Sequence, residues 1–470
     1  MGSGGSTVRR IDQMLSVRDG RLYVEDVPCV ALAARFGTPL YVVSEDQLRR
    51  NARAFAEAFG GRWPEGPVRI LPSLKANYTL ALRHVLSQEG MGCDTFGEAE
   101  LNAALRAHVP PELISVNGSA KSAKLIDDAV AAGARVTIDS ARELSLVEDA
   151  ARRSGRTATI RVRLRPDLSD VAEPTDLAGD EIPVSEATRS YKAGIPTEDV
   201  IPLGRKAIAS EHVDLTGVHV HLPRHRAETG LYRRMIRALV DLIAELVHEW
   251  DGWNPREIDL GGGFAVPRDP TGRLLHRLAG EPRHLAPSID EYAEAITTSL
   301  RSELHRQRIP AQGLALELEP GRRLYADAGI HLATVVDTKR ESSPIPWRWI
   351  ETDTTEMFLP DSLIEHNRWD VVVASRPDAA PTGPADIVGI SCGFDLMVPS
   401  EPLPELDDGE VLAFLDTGAY QDASAANFNA LPRPATVLVR GSEAEIVKRA
   451  ETIDDVFARD VVPQRLGGGG

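Results

Sequence analysis

Seven lysines are all that this 470-residue chain carries among its 53 basic residues, so chemistry that needs a lysine amine has few places to sit. One of them, Lys75, ends a run that reads as a β-strand, Val68–Lys75. Arg163, the pair His219 and His221, the glycines Gly261–Gly263 and Glu319 fall at the ends of other strand-like runs. Singly, each has a plain structural reading. Lys75 is a solvated surface residue, the histidines pack, the glycines make a tight turn, and Glu319-Pro-Gly-Arg322 is a turn with an exposed ion pair. As a set they supply complementary chemistry. A glycine-rich turn ahead of a helix offers backbone N–H groups to a phosphate, and Arg322 adds a bidentate contact. A lysine amine kept neutral forms a Schiff base with an aldehyde. A carboxylate such as Glu319 holds a pyridine nitrogen protonated, and an imidazole on the same strand face stacks on the ring. Phosphate, aldehyde, ring nitrogen and ring face each have a partner, which is what pyridoxal 5′-phosphate requires.

The elements that must bring these residues together follow from the hydrophobic pattern. Strand-like Val68–Lys75, Arg135–Ser140, Thr159–Leu164, Leu215–Leu222, Glu257–Leu260 and Leu314–Leu318 alternate with helical stretches at Asn77–Glu89, Ala141–Arg153, Leu231–Glu249 and Ile289–Arg306. Repeated strand–helix units imply a parallel sheet with crossover helices. The pattern predicts a (β/α)8 TIM-type barrel over residues 36–325, with its chemistry at the C-terminal strand ends. A doubly wound sheet is the alternative, because periodicity does not decide closure. After Gly329, short strands at Val335–Lys339, Arg348–Glu351, Val371–Ser375, Ile387–Ser391, Val411–Asp416 and Ala435–Arg440 are separated by Pro/Gly turns. They predict a C-terminal β-sandwich or β-barrel domain over residues 326–465. Residues 1–35 contribute to it, with Arg21–Val24 as a strand that joins its sheet. Asp167–Tyr191 reads as a long polar loop near the barrel mouth, and both glycine-rich ends read as linker.

Composition sets outer limits. Apolar residues at 42% and charged residues at 26% are globular values. A net charge of −17 argues against a nucleic-acid binder. Cys29, Cys93 and Cys392 are widely spaced, which excludes a disulfide framework and fits a reducing cytoplasm. No apolar run approaches the ~20 residues of a membrane span, and the start has no signal-peptide core.

The chain resembles the fold-type III decarboxylases, the group of diaminopimelate, ornithine and arginine decarboxylases. Ordered matches run through Ser73-Leu-Lys-Ala-Asn77, Asp94, Gly97-Glu98, Val136-Thr-Ile-Asp-Ser140, His219-Val-His221 and Asp259-Leu-Gly-Gly-Gly-Phe264. They continue in Glu319-Pro-Gly-Arg322, Cys392, Asp395, Gly418-Ala-Tyr420 and Asn427-Phe-Asn429. The resemblance implies that Lys75 forms the Schiff base, His221 stacks on the ring and Glu319 pairs with the ring nitrogen. Gly262, Gly263, Gly321, Arg322 and Tyr420 would hold the phosphate, with Asp94 and Arg163 as further cofactor contacts. Cys392 would reach across a homodimer interface to return the proton after carbon dioxide leaves, and Asp395 would meet the substrate side chain.

Four departures bear on the substrate. His221-Leu-Pro-Arg-His225 replaces the family's Gly-Ser after the stacking histidine. Cys392-Gly-Phe-Asp395 lacks the glutamate that reads the distal ammonium in diaminopimelate decarboxylases. Leu359-Pro360 stands where those enzymes grip the distal carboxylate with Arg-Pro. Arg163-Leu-Arg165-Pro166 replaces Arg-x-Asn-Pro and adds a cation. These changes predict a specialised acidic or bulky amino acid, met by Arg165, Arg224 and Phe394, as in a siderophore or antibiotic pathway. Diaminopimelate decarboxylation in lysine biosynthesis is the alternative. A metal-dependent hydrolase built on His219, His221 and His225 is disfavoured, since later strand ends offer glycines and Glu319 rather than metal ligands. A non-catalytic regulatory relative is disfavoured because Lys75, Glu319, Arg322, Tyr420 and Cys392 are all retained.

Overall fold

The computed structural model describes residues 9–166, 175–177, 180–182, 192–221, 229–266, 286–364 and 367–467. They fall into two units. Within the first, eight parallel strands form a barrel: β1 (Val68–Ile70), β2 (Cys93–Thr95), β3 (Ile114–Val116), β4 (Arg135–Ile138), β5 (Ala158–Arg163), β6 (Val213–His219), β7 (Glu257–Asp259) and β8 (Ala315–Leu318). The hydrogen-bonded order is β1-β8-β7-β6-β5-β4-β3-β2. The gap between β2 and β1 is spanned by the Gly92 N–H on the Ile70 carbonyl at 2.8 Å and the Asp94 N–H on the Pro72 carbonyl. The doubly wound alternative is thereby excluded.

Alternation along each strand decides what faces inward. On β5, Ala158, Ile160 and Val162 are buried apolar residues, whereas Arg161 and Arg163 are charged yet buried. Buried Leu316 and Leu318 alternate with Glu317 and Glu319 around β8. A TIM-type interior is usually layered with branched apolar side chains. Here its middle layer is ionic. The Arg161 guanidinium reaches Asp259 at 2.7 Å and Glu317 at 2.6 Å and also donates to the Ser115 hydroxyl. Beneath it, Arg135 bridges Glu257 and Glu317, each at 2.9 Å, and Arg69 bridges the same two carboxylates at 3.1 and 2.7 Å. Burial works against charge on Glu317, but the surrounding guanidiniums outweigh it and hold its pKa below the usual carboxylate range.

The helices that cover this barrel carry their own stop and start signals. Ile289–Arg306 begins with a Ser288/Glu291 capping box, and Ala141–Ser154 is capped by Ser140 and ended by left-handed Gly155.

In the second unit, the long strand Gly329–Glu341 pairs antiparallel with Leu40–Ser44, Trp347–Thr352 and Val411–Phe414. Ala435–Arg440 runs parallel to Leu40–Ser44 on its other edge. Leu40–Ser44, which the sequence pattern assigned to the barrel stretch, is buried throughout in this sheet. The expectation that Arg21–Val24 joins the sheet is corrected. It sits in a separate four-stranded sheet with Arg9–Arg10, Leu15–Arg18 and Val27–Pro28. Leu22 and Val24 instead pack into a shared core with Val42, Leu332 and Val437.

Replacing Arg161 with methionine would leave Asp259 and Glu317 without their shared cation in a dry interior. We expect Arg161→Met to lose about 3–5 kcal/mol in urea unfolding; a loss below about 1 kcal/mol would show that the ionic layer does not hold the barrel.

Candidate active site

Two residues past the ionic layer, Glu317 leads to Glu319, Arg161 to Arg163 and Asp259 to Gly261, and His219 with His221 stands on the neighbouring column. Glu319 is the hub. Asn117 donates one side-chain N–H to Glu319 Oε1 and the other to Asp94 Oδ1 at 2.7 Å. The Ser73 hydroxyl closes on Asp94 Oδ2 at 2.5 Å. His219 Nε2 lies 3.3 Å from Glu319 Oε2, and His221 Nδ1 lies 3.9 Å from the same oxygen.

Burial sets the protonation states here. It pushes Glu319 up to about 7, with the nearby Asp94 charge adding to the effect. It pushes Asp259 up to about 8, reinforced by Glu319. Two buried carboxyls this close favour holding a proton between them. Burial also drives His219 down to about 3, so its ring stays neutral. With Nε2 facing Glu319, His219 Nδ1 is buried and accepts no hydrogen bond among the described residues.

The glycine turn lies against this cluster. Gly261 and Gly263 have φ of +66° and +93°, a region that disfavours a side chain. A Cβ on Gly261 would stand 2.5 Å from His221 Nδ1, and one on Gly262 would stand 2.5 Å from the Glu319 carbonyl oxygen. The absence of side chains therefore leaves a cradle beside a stackable imidazole. Gly321 precedes the short helix Arg322–Tyr325, whose first residue, Arg322, is buried.

Lys75 follows β1 in a single 3₁₀ turn and is half-buried, its Nζ 4.9 Å from the centre of the Phe96 ring. Its charge acts on Glu319, which places it in the same electrostatic neighbourhood. Lys121 is a fully buried lysine at this end, and it is committed elsewhere. Its Nζ donates to the carbonyls of Gly118 and Thr137 and to Glu143 at 2.8 Å, so all three N–H groups are used.

The remaining expected residues separate. Arg163 is buried at the β5 end, and Arg165 donates to the Ala193 carbonyl at 2.9 Å. Arg224 and His225 lie outside the described residues. In the second unit, Cys392 and Phe394 share an exposed loop, with Phe394 99% accessible. Asn429 grips Cys392 twice, accepting its backbone N–H at 2.9 Å and donating to Sγ at 3.4 Å. Cys29 and Cys93 are buried, and burial pushes both thiols up to about 12. Tyr420 is half-buried in a left-handed conformation. Asp395, expected near the substrate side chain, is 1% exposed, and its carboxylate accepts from the Thr355 hydroxyl and the Glu356 and Ser391 backbone N–H groups, which shapes the Cys392 loop.

Sequence reasoning missed Asn117, Asp259 as a proton-sharing partner, and Asn429 as a clamp. Only Asp259 carried a usable signal, as an acidic residue two before a glycine turn on an inward column.

The cradle beside His221, the buried carboxyls and the nearby Lys75 fit a flat pyridine ring carrying an aldehyde and a phosphate. Comparison with known proteins agrees. Residues 45–326 match the family model described as pyridoxal-dependent decarboxylase, pyridoxal binding domain. A diaminopimelate decarboxylase of Methanocaldococcus jannaschii is 29% identical over 96% of this chain and 98% of its own. One of Pseudomonas aeruginosa is 28% identical over 96% and 99%. The crystal structure of the M. jannaschii diaminopimelate decarboxylase in co-complex with L-lysine superposes with a TM-score of 0.86 at 26% identity, covering 97% and 99% of the two chains.

Two outcomes are expected. Borohydride should fix the cofactor to wild type and to Lys121→Met but not to Lys75→Ala, as read by intact mass. Fixation in Lys75→Ala would remove that lysine's role. For cofactor-stripped protein, the carboxyl pair retains a proton that the unfolded chain releases, so its contribution to stability falls from about pH 4 to about pH 8. His219 acts oppositely only below about pH 6.5, and Glu100, also raised to about 7, adds to the fall. Between about pH 6.5 and 8 the urea midpoint should therefore drop in wild type and drop less in Asp259→Asn. An equal drop in both would show that Asp259 holds no share of the proton.

Proposed function

We propose that this chain, which belongs to the pyridoxal-dependent decarboxylase family and is an amino-acid decarboxylase that works with pyridoxal 5′-phosphate, acts on meso-diaminopimelate. The observation that carries the substrate is the end-to-end match to diaminopimelate decarboxylases, 29% identical across 96% of the chain. Lysine is the product of that reaction, in line with the L-lysine bound to the M. jannaschii relative.

When bound, the cofactor supplies an aldehyde that condenses with the substrate amine and a protonated ring that takes up the electrons left by departing carbon dioxide. The protein's share is positional and electrostatic. Lys75 Nζ would hold the cofactor through its aldehyde carbon. Glu319 would face the ring nitrogen, and the proton it shares with Asp259 in the waiting site would be available to that nitrogen, leaving a carboxylate against a positive ring. Neutral His219 keeps Glu319 oriented through Nε2–H, and His221 would cover the ring face. Gly262, Gly263, Gly321, Arg322 and Tyr420 would hold the phosphate, with Asp94 and Arg163 as further cofactor contacts. Cys392 Sγ–H delivers the proton that replaces the lost carboxylate.

An exposed loop carrying Cys392 and Phe394 suits a homodimer in which each site borrows that loop from the partner. A reducing cytoplasm suits a thiol that has to stay reduced. Among the described residues, no helix is long and apolar enough to cross a membrane.

A second reading, a specialised amino acid with a different distal group, is favoured by Leu359. Its side chain is fully buried among Ile350, Trp369 and Phe414, so position 359 offers a distal carboxylate nothing.

The test is carbon dioxide release from purified holoenzyme given meso-diaminopimelate, L- and D-ornithine, lysine, arginine and larger acidic amino acids. Stoichiometric lysine from meso-diaminopimelate is the expected result. Turnover confined to a larger acidic amino acid would replace it with the second reading. Cys392→Ala should slow amine formation by about 10²-fold or more and divert turnovers into transaminated cofactor.

A further inference from the structure

The amide of Asn117 has a donor end and an acceptor end, and the residues beneath it decide which end faces Glu319. An asparagine side chain offers two N–H donors on its nitrogen and an accepting oxygen. The Arg161 guanidinium donates to the Ser115 hydroxyl. That hydroxyl has a single proton of its own to give, and it goes to Asn117 Oδ1 at 3.1 Å. With its oxygen claimed, Asn117 turns both N–H groups to the carboxyls: one meets Asp94 Oδ1 at 2.7 Å and the other Glu319 Oε1. Ser115 is fully buried and Asn117 is 1% exposed, so bulk water does not share in these bonds. The backbone fixes the pair as well. The Asn117 N–H bonds to the Thr95 carbonyl at 2.8 Å, and the Thr95 hydroxyl donates to the Ser115 carbonyl at 3.1 Å.

This chain of donors has a direction, and the direction bears on charge. A donated hydrogen bond favours a carboxylate over a neutral carboxyl. Reversed, the amide would press its oxygen against both groups, and each would then need a proton to be satisfied. The other groups facing Glu319 are Asp94, Asp259 and the neutral ring of His219, with His221 Nδ1 3.9 Å away; the charges of Arg161 and Lys75 also act on it. Burial and Asp94 favour a protonated Glu319, and Asn117 opposes both. With Oε1 held as an acceptor, the proton shared with Asp259 is kept off that oxygen.

We propose that Arg161, Ser115 and Asn117 form a polarity lock: the buried cation of the barrel floor sets the orientation of the Asn117 amide, and the amide holds Glu319 ready to ionise against a positive ring nitrogen. Asn117 is then a positioning residue that acts through Glu319. The lock is a property of the protein alone, and its use in the reaction rests on the decarboxylase reading.

The experiment follows the Glu319 carboxyl by ¹³C NMR in cofactor-stripped protein labelled at the glutamate carboxyl carbon, the signal being assigned by its loss in Glu319→Gln. Wild type should titrate near pH 7. Asn117→Leu removes both donors, whereas Ser115→Ala keeps them and frees the amide to turn. The midpoint should rise by about one pH unit or more in Asn117→Leu and by about half as much in Ser115→Ala. A packing role would lower the urea midpoint and leave the titration in place. Ser115→Ala loses one hydroxyl only, and it carries the test alone should Asn117→Leu not fold. In the holoenzyme the acidic limb of kcat should move upward with the titration. If the titrations shift while wild type decarboxylates no amino acid, the decarboxylase reading fails and the lock stands. A limb that stays in place beside a shifted titration would overturn the lock's part in the reaction. If Glu319 keeps the wild-type midpoint in either folded variant, the lock itself is overturned.

Discussion

Everything at the C-terminal end of the barrel depends on one buried contact, the guanidinium of Arg161 shared between Asp259 and Glu317. Strand alternation obliges every second residue to point inward. A column that holds Glu317 must therefore raise Glu319 one layer higher, and the column of Asp259 must bring Gly261 there. Without a cation at position 161 those carboxylates would face each other in a dry interior. With it, the layer is close to neutral and its residues are fixed from three sides. Gly217 shows how tightly the layer fits, since a Cβ there would lie 2.1 Å from the Glu257 carbonyl oxygen.

That rigid floor explains the electrostatics above it. Asp94, Asp259 and Glu319 form a concentration of carboxyls relieved by a shared proton, by Asn117 and by neutral histidine. Such a site has a use for a ligand that brings its own positive ring nitrogen. The proton held near pH 7 between Asp259 and Glu319 is then a property of the waiting site. The competing lysine is removed by the same logic, because Lys121 is consumed in joining the turns after β3 and β4 through Glu143.

The barrel was legible where strands were long and β-branched. It was less so at β2 and β3, whose three-residue cores, Cys93-Asp-Thr95 and Ile114-Ser-Val116, carry polar residues that face inward. Lys75, His221, the glycine turn and Glu319 could be read because each ends a recognisable strand. Asn117 could not, since nothing marks an asparagine one residue past a short strand as the bridge between two carboxylates. The partners of Asp395 were equally hidden: its carboxylate accepts from two backbone N–H groups and a hydroxyl that lie 4, 39 and 40 residues away in sequence.

The proposed chemistry turns on Glu319 keeping the cofactor's ring nitrogen protonated. The most direct measurement is the ¹⁵N chemical shift of that nitrogen in protein reconstituted with ¹⁵N-labelled pyridoxal phosphate. The account predicts a pyridinium signal in wild type across neutral pH and an unprotonated pyridine in Glu319→Gln. An unprotonated ring in the wild-type protein would contradict it.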